Sequence, residues 1–210
     1  MEGVKFMALG DELKSSGITA NTPQNIVLGA GTIHKGLTFT TDKWNFEESL
    51  VGATSGGTKI TIKPEFKDIE VDGALVKVKG LTQKVGETAS METNIVEVTP
   101  EIMKMTMVGQ SKTANDKTGY DEITSKNKIE EGDYIENLGY VGKTLDGKPI
   151  IIIFDNALCT SGFEIEGKNK ENAVLKATFE CYADLTSACD VLPYHIYYPT
   201  PVGVLKTKEK

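Results

Sequence analysis

The chain is poor in the residues that most often carry chemistry. It has two histidines, His34 and His195, and three cysteines among 210 residues. None of Cys159, Cys181 and Cys189 belongs to a Cys-x-x-Cys pair, and neither histidine stands at ligand spacing from a cysteine. A zinc site is therefore not expected. An odd cysteine count without a secretion signal is typical of free thiols in a reducing cytosol.

Long apolar runs are also missing. The run Pro149–Phe154 is far shorter than the roughly 20 apolar residues that a membrane-spanning helix needs. The amino terminus carries Glu2, Asp11 and Glu12, with neither a basic start nor a long apolar stretch behind it. We therefore expect no signal peptide, no membrane association, and a protein that stays in the cytoplasm where it is made.

The charge balance is acidic, with 30 acidic against 23 basic residues and a net charge of -7. Proteins that grip nucleic acid usually have the opposite balance, because their affinity comes from neutralising phosphates. An acidic surface suits a protein past which DNA must slide without sticking. Solubility alone is the alternative explanation, and the sequence leaves both open.

Alternation of apolar and polar residues predicts a mainly β fold. Ile60, Ile62 and Phe66 alternate with polar residues, which favours a strand with one buried face, and Pro64 indicates an edge strand or a bulge. A tight turn is predicted at residues 72–73. Further strands are predicted within 25–41 and at 69–71, 75–79, 88–98, 134–141, 150–154, 163–166, 173–183 and 195–198. Strands at such spacing favour two packed antiparallel sheets, as a sandwich or barrel.

One short helix is predicted after this strand-rich stretch. The Thr99 hydroxyl can accept a hydrogen bond from a free amide, Pro100 has its dihedral pre-set, and Glu101 faces the positive end of the helix dipole. Apolar residues follow at helical spacing, and Gly109 is expected to end the helix.

The predicted organisation has three parts. Residues 1–24 form an N-terminal arm, residues 25–200 a single β-sandwich domain, and residues 201–210 a C-terminal tail. Within the domain, residues 110–133 are polar and rich in turn formers, which predicts a long loop.

Two stretches resemble ligand sites only superficially. Residues 52–59 (GATSGGTK) are similar to a phosphate-binding loop, but Thr58 and Lys59 stand in the wrong order and a strand follows instead of a helix. The acidic residues of 110–133 lack the regular carboxylate spacing of a calcium loop. We predict no catalytic residue, no metal and no cofactor, and hence a protein that is not an enzyme.

Trp44 and Phe46 have two interpretations that the sequence leaves open. Aromatic residues are enriched at interface hot spots, so the pair could anchor a partner. A tryptophan that caps one end of the core is the alternative.

Several short runs together resemble the major tail proteins of long-tailed bacteriophages that infect Gram-positive bacteria. The resemblance spans about half of the chain and is strongest over 52–109. The runs that carry it are Leu28–Ile33, Ala53–Gly57, Pro64–Phe66, Asp68–Gly73, Val78–Gly80, Asn94–Thr99 and Pro193–Pro199.

The resemblance implies two packed β-sheets flanked by a helix, hexameric rings, and rings stacked into a tail tube that conducts DNA into the host. In such proteins sheet edges pair around the ring, and an N-terminal arm, a C-terminal arm or a long hairpin reaches the next ring. The expected location is the virion tail, assembled in the host cytoplasm. The expected partners are other copies, the tape-measure protein, tail chaperones and the tail terminator, while DNA passes through the lumen without specific binding.

Residues 1–24, 42–57 and 110–133 are candidates for segments that order on assembly. The candidate subunit-interface residues are Trp44, Phe46, Thr54, Gly56, Gly57, Tyr120 and Ile123.

Three other functions remain as alternatives. A contractile tail or tailocin tube is a close variant of the first interpretation. An immunoglobulin-like or carbohydrate-binding module of an adhesin would share the β-sandwich, although a secretion signal is not found. A hydrolase on a β scaffold is the third, and no nucleophile motif favours it.

Overall fold

A computed structural model describes residues 16–113, 119–167, 169–170, 172–186 and 189–199. About half of these residues lie in twelve strands, with three helices and one 3-10 turn. The helices are α1 (Thr22–Asn25), α2 (Phe46–Ser49) and α3 (Pro100–Met107), and the 3-10 turn is Glu131–Asp133. The strands are β1 (Val27–His34), β2 (Phe39–Thr40), β3 (Lys43–Trp44), β4 (Thr54–Asp68), β5 (Thr82–Ile95), β6 (Gly109–Thr113), β7 (Asp121–Ser125), β8 (Ile135–Thr144), β9 (Pro149–Cys159), β10 (Glu164–Glu166), β11 (Val174–Cys181) and β12 (Tyr194–Tyr197).

The mainly β class with antiparallel sheets is confirmed. Eight strands form one sheet in the order β1-β8-β9-β11-β5-β4, with β10 beside β11 and β12 beside β9. The pairs β2–β3 and β6–β7 form two small sheets. The large sheet forks at β9, because Ala157–Cys159 pair with β11 while Ile151–Phe154 pair with β12 on the same edge. The sheet thus supplies both layers of the core, and β1 lies against β4 across the fold.

The core lies between these two halves of the large sheet. Its largest fully buried side chains include Phe154 of β9, Phe179 of β11 and Met91 of β5. Ile102 of α3 joins the same cluster, so the helix covers part of the core as predicted. Burying a side chain of this size contributes about 1.5–3 kcal/mol, which makes this cluster the main source of stability.

The helix start is confirmed and its end differs from the prediction. The Thr99 hydroxyl accepts a hydrogen bond from the backbone N–H of Ile102 at 3.3 Å, as an N-cap residue should. The helix ends at Met107, and Val108, with φ of 51°, takes the left-handed cap position that was expected of Gly109. Gly109 instead begins β6, where an added Cβ would lie 3.1 Å from the Met107 side chain.

The predicted loop 110–133 is wrong for most of its described length. β6 and β7 pair over five residues each, and the 3-10 turn follows. Polar residues misled the prediction, because a two-stranded ribbon that packs mainly against α3 needs few apolar positions. Residues 114–118 lie outside the described residues.

The strands predicted at 69–71 and 75–79 are also wrong. Residues 69–81 form a loop between β4 and β5, with a turn closed by the Ala74 N–H to Val71 O bond of 3.1 Å. The edge-or-bulge prediction for Pro64 is confirmed on both counts. β4 ends the strand order, and its register with β5 shifts between Glu65 and Phe66.

The predicted three-part organisation stays a prediction. Of the N-terminal arm only residues 16–24 are described, and they include part of α1. The predicted C-terminal tail, residues 201–210, lies outside the described residues.

Candidate assembly surface

A long hairpin leaves the body of the protein, and we call its outer part, residues 65–86, the hairpin arm. It consists of the ends of β4 and β5 and the loop 69–81. β11 pairs with β5 only over Ser90–Ile95, so the strands of the arm have no neighbour but each other among the described residues. The burial pattern agrees, because β5 alternates between buried and half-buried from Ala89 onward and is exposed before Gly86.

A β-bulge lies at the base of the arm. Glu65 pairs with Gly86 and Phe66 pairs with Lys84, so Val85 has no partner on β4. A bulge bends a strand pair and increases its twist. It therefore sets the direction in which the arm leaves the body.

The base is also fixed by polar contacts to the body. The Tyr194 hydroxyl of β12 donates to the Glu87 carboxylate at 3.3 Å, and Lys84 Nζ lies 3.0 Å from the same group. Only 9% of the Glu87 side chain is exposed. The arm is therefore anchored at its base while its outer part stands in solvent.

The arm exposes an unusual amount of apolar surface. Leu75 is 97% exposed, Val76 77% and Phe66 65%. The exposed large apolar residues of the arm are Phe66, Ile69, Val71, Leu75, Val76, Val78 and Val85. They are seven of the 22 such residues in the described chain, although the arm is only about a tenth of the sequence. A concentration of exposed apolar side chains on one projecting element is typical of an interaction site.

One side-chain cluster holds the loop of the arm in shape. The Asp68 carboxylate accepts hydrogen bonds from Lys77 Nζ and from the Thr82 hydroxyl, both at 2.7 Å. Lys77 and then Thr82 hold the pKa of Asp68 below its usual value, and Asp68 in turn raises the pKa of Lys77. The ion pair with Lys77 and the hydrogen bond from Thr82 together link the end of β4, the middle of the loop and the start of β5.

The arm carries no net charge. Residues 65–86 contain four acidic and four lysine side chains. The net charge of -7 therefore resides entirely in the rest of the chain. A neutral arm can approach an acidic neighbour with less repulsion than the other surfaces of the chain would cause.

Trp44 and Phe46, two of the sequence-predicted interface residues, lie in a second small cluster on the opposite face of β9 from the main core. They pack against Leu37, Ile151 and Ile153, and both are half-buried. This packing agrees with the core interpretation of Trp44.

Trp44 has three aromatic neighbours. It lies 5.2 Å from Phe39 with the rings inclined at 60°, and 5.2 Å from Tyr197 with the rings inclined at 64°. Phe46 is stacked on Trp44 at a centroid distance of 6.4 Å, with the ring planes 21° apart. These ring contacts agree with a packing role for Trp44.

Thr54, Gly56 and Gly57 lie together near the start of β4, where Gly56 is exposed and Thr54 and Gly57 are half-buried. The register with β5 shifts between Thr54 and Thr58, so two extra residues bulge from the edge strand. Gly56 and Gly57 have φ of 77° and 86°, values that residues with a β-carbon rarely adopt. An open groove of about 360 Å³ lies beside this bulge, floored by polar side chains.

Tyr120 and Ile123 lie on the β6–β7 ribbon, apart from the other predicted residues. Tyr120 is 74% exposed. Ile123 is half-buried, near Met107 and Gly109. The seven predicted residues thus form three separate groups, and their interface role stays a prediction.

His34 and Cys181 are titratable groups buried in the body of the protein. His34 is 2% exposed, and its two ring nitrogens lie 2.9 Å from the Ser49 hydroxyl and 2.8 Å from the Thr32 hydroxyl. Burial lowers the pKa of His34. Burial also raises the pKa of Cys181 to about 12, so this thiol stays protonated and unreactive at neutral pH.

Within the described ranges, acidic, histidine and cysteine side chains form no group of three that could hold a metal ion. None of the described helices has the length and apolar character to cross a membrane.

The hairpin arm is the feature that sequence reasoning missed. Its strands were expected, but Val71 and the run 75–79 alternate as buried strands do, and they were interpreted as sheet. The available signal was the pair of turn formers Gly73 and Gly80 on either side of residues 74–79, but six residues are enough for a strand of ordinary length, so this signal alone did not exclude one.

Comparison with known proteins gives little further guidance. No family model matches the sequence, and no curated protein matches it. Among solved structures, the chain is similar to a chain of the virion of a native gene transfer agent particle. The two are 12% identical, the match covers 79% of this chain and 95% of the other, and the TM-score is 0.38. So low a TM-score supports no argument about architecture or function.

Proposed function

We propose that this protein is a structural virion subunit that assembles with copies of itself into the tail tube of a long-tailed bacteriophage. Rings of subunits, six to a ring, stack into a hollow tube through which DNA leaves the particle. The protein acts by assembly rather than catalysis. Its partners are other copies, and the tape-measure protein, tail chaperones and tail terminator meet the assembled or assembling tube.

The observation that carries this proposal is the hairpin arm. A soluble monomer has no reason to hold seven large apolar side chains in solvent on a projecting ribbon. A subunit that inserts this ribbon against a neighbour buries them. A head-to-tail contact of that kind does not use the same surface on both partners, so it builds a ring or a filament rather than a closed pair.

The edges of the sheet agree with controlled rather than indiscriminate assembly. The open edge of β4 is interrupted by the bulge at Gly56–Gly57 and by Pro64, which has no N–H to donate. Both features discourage random edge-to-edge pairing. The arm is then left as the surface that selects the partner.

The net charge supports the conduit role. A tube wall built from subunits that each carry -7 repels DNA phosphates, which allows the genome to slide past.

Assembly of the purified protein tests the proposal. The protein is concentrated stepwise at several salt concentrations, and each sample is examined by sedimentation velocity and negative-stain electron microscopy. We expect rings or tubes of constant diameter above a threshold concentration. A protein that stays monomeric at every concentration and salt condition contradicts the proposal.

A further inference from the structure

An aspartate is followed by a glycine at two places in the chain, and both pairs lie in turns. Asp72–Gly73 lies in the loop of the hairpin arm, and Asp146–Gly147 lies between β8 and β9. In such a pair the glycine nitrogen can attack the aspartate carboxyl, because glycine has no side chain to obstruct the approach. Both glycines have φ of 86°, and a Cβ at either would meet no atom within 4 Å. Glycine conformation and open space therefore do not distinguish the two pairs.

The two pairs differ in what the attacking nitrogen does. The turn of the arm is closed by the Ala74 N–H to Val71 O bond of 3.1 Å, so Gly73 is a central residue of the turn whose own N–H takes no part in that bond. Between β8 and β9 the Gly147 N–H itself closes the turn and donates to Thr144 O at 2.9 Å. The nitrogen of the second pair is thus engaged, and that of the first is available.

The carboxyl groups differ in the same sense. The Asp146 carboxylate accepts a hydrogen bond from the Thr144 hydroxyl and lies 3.5 Å from Lys148 Nζ. Thr144 and then Lys148 hold the pKa of Asp146 below its usual value, so this carboxyl stays ionised and held in place. Among the described residues, neither the Asp72 carboxylate nor the Gly73 N–H has a hydrogen-bond or ion-pair partner, and both residues are exposed.

We propose that Asp72 is a site of spontaneous isomerisation to isoaspartate, and that its counterpart Asp146 is protected by the hydrogen bonds of its turn. The Gly73 nitrogen attacks Cγ of the protonated Asp72 carboxyl. The N–Cγ bond forms, the bond from Cγ to the hydroxyl oxygen breaks, and the N–H proton leaves with that hydroxyl as water. A five-membered succinimide ring results.

Hydrolysis of the ring completes the reaction. A water molecule cleaves the bond between the ring nitrogen and the backbone carbonyl carbon of Asp72, so the chain now runs through the former side chain. One water is lost and one is gained, which leaves the mass and the net charge unchanged. The reaction needs no oxidant, metal or cofactor.

Isomerisation would change the shape of the arm. It places one additional carbon atom in the backbone between Val71 and Ala74, the two residues whose hydrogen bond closes the turn. Asp72 and Gly73 also line an open recess of about 490 Å³ in this loop, together with the exposed Leu75 and Val76. The inference goes beyond the proposed function and does not depend on it, because the reaction takes place in the free subunit.

Ageing of the purified protein tests the inference. The protein is kept at physiological temperature and neutral pH, and peptide mapping with electron-transfer fragmentation measures isoaspartate at Asp72 and at Asp146. Synthetic peptides of residues 69–76 and 143–150 give the rate of each sequence without a fold. We expect Asp72 to isomerise within about threefold of the rate of its peptide, because no hydrogen bond of these groups has to open first. Asp146 should react at least about tenfold more slowly than its peptide, because the bonds of Gly147 and Thr144 must break.

Asparagine variants give a second measurement of the same chemistry. In Asp72→Asn and Asp146→Asn the attack releases ammonia instead of water, so the completed reaction changes the mass of the intact chain. The Asp72→Asn chain should react at least about tenfold faster than the Asp146→Asn chain, because only the second must break hydrogen bonds first. An Asp72→Glu chain is the matched control, since its longer side chain would have to close a six-membered ring, and it should form no isomer at this position. Circular dichroism melting checks that each variant folds.

Two results overturn the inference. One is a rate at Asp72 that is as far below that of its peptide as the rate at Asp146 is below its own. The other is equal reaction of the two asparagine variants. Either result would mean that the free nitrogen and carboxyl in the loop of the arm do not determine where the chain reacts.

Discussion

Replacement of Leu75 by serine separates assembly from folding. Leu75 is 97% exposed at the tip of the hairpin arm, so the free subunit gains nothing from its apolar side chain. An exposed substitution of this kind changes the free energy of unfolding by less than about 0.5 kcal/mol. In the proposed assembly the same side chain becomes buried against a neighbour, which is worth about 1.5–3 kcal/mol. The Leu75→Ser protein should therefore need a roughly ten- to hundredfold higher concentration to assemble, because about 1.4 kcal/mol is a factor of ten.

Leu185 provides the matched control for this experiment. It is also 97% exposed, but it lies on the loop after β11 and is not part of the arm. The measurements are the threshold concentration by sedimentation and the urea unfolding curve of the monomer. We expect Leu75→Ser alone to shift the threshold and neither variant to shift the unfolding midpoint. Equal thresholds for both variants, or a large loss of monomer stability in Leu75→Ser, would refute the reasoning about the arm.

The remaining predictions concern stability. Gly31→Ala should cost about 2–5 kcal/mol, from the left-handed backbone and from overpacking, because a Cβ there would lie 2.2 Å from the Tyr140 ring. At Gly29, φ is 81° but a Cβ would meet open space, so Gly29→Ala should lose only the free energy that the left-handed backbone costs. Equal losses of unfolding free energy for the two variants in urea would contradict this account. Burial lowers the pKa of His34, so the folded state binds fewer protons than the unfolded state once the pH falls below about 6.5. The contribution of His34 to the free energy of unfolding should be constant above neutrality and fall as the pH drops from 6.5 toward the lowered pKa. A His34→Gln variant should therefore lose less free energy of unfolding than the unaltered protein between pH 7.5 and pH 5.5. Identical losses would exclude His34 as the cause.

The sequence predicted those elements whose formation depends on residues close together in the chain, such as β4 and α3. The alternation around Ile60 and Ile62 gave β4, because one face of that strand packs on the core. The cap at Thr99 gave α3, because its hydrogen bond to Ile102 spans only three residues. In both cases the interactions that fix the element lie within the element or one face of it.

The candidate site could not be predicted in the same way. Alternation predicts a strand only where a sheet buries one face, and the loop around Leu75 has no sheet to cover it. Which surface lies over Trp44 depends on Leu37 and on Ile151, more than a hundred residues later in the chain. Such long-range contacts leave no periodic trace in a single sequence.

The unpaired Val85 at the base of the hairpin arm has a geometric consequence. The bulge accommodates one extra residue on β5, so the pairs on its two sides, Glu65 with Gly86 and Phe66 with Lys84, stay opposite one another. Deleting Val85 should therefore preserve the pairing of the arm and remove the bend and the added twist that a bulge gives a strand pair. A single codon thus acts as an angular setting between a body that stays unchanged and a contact that can be aimed at differently placed neighbours.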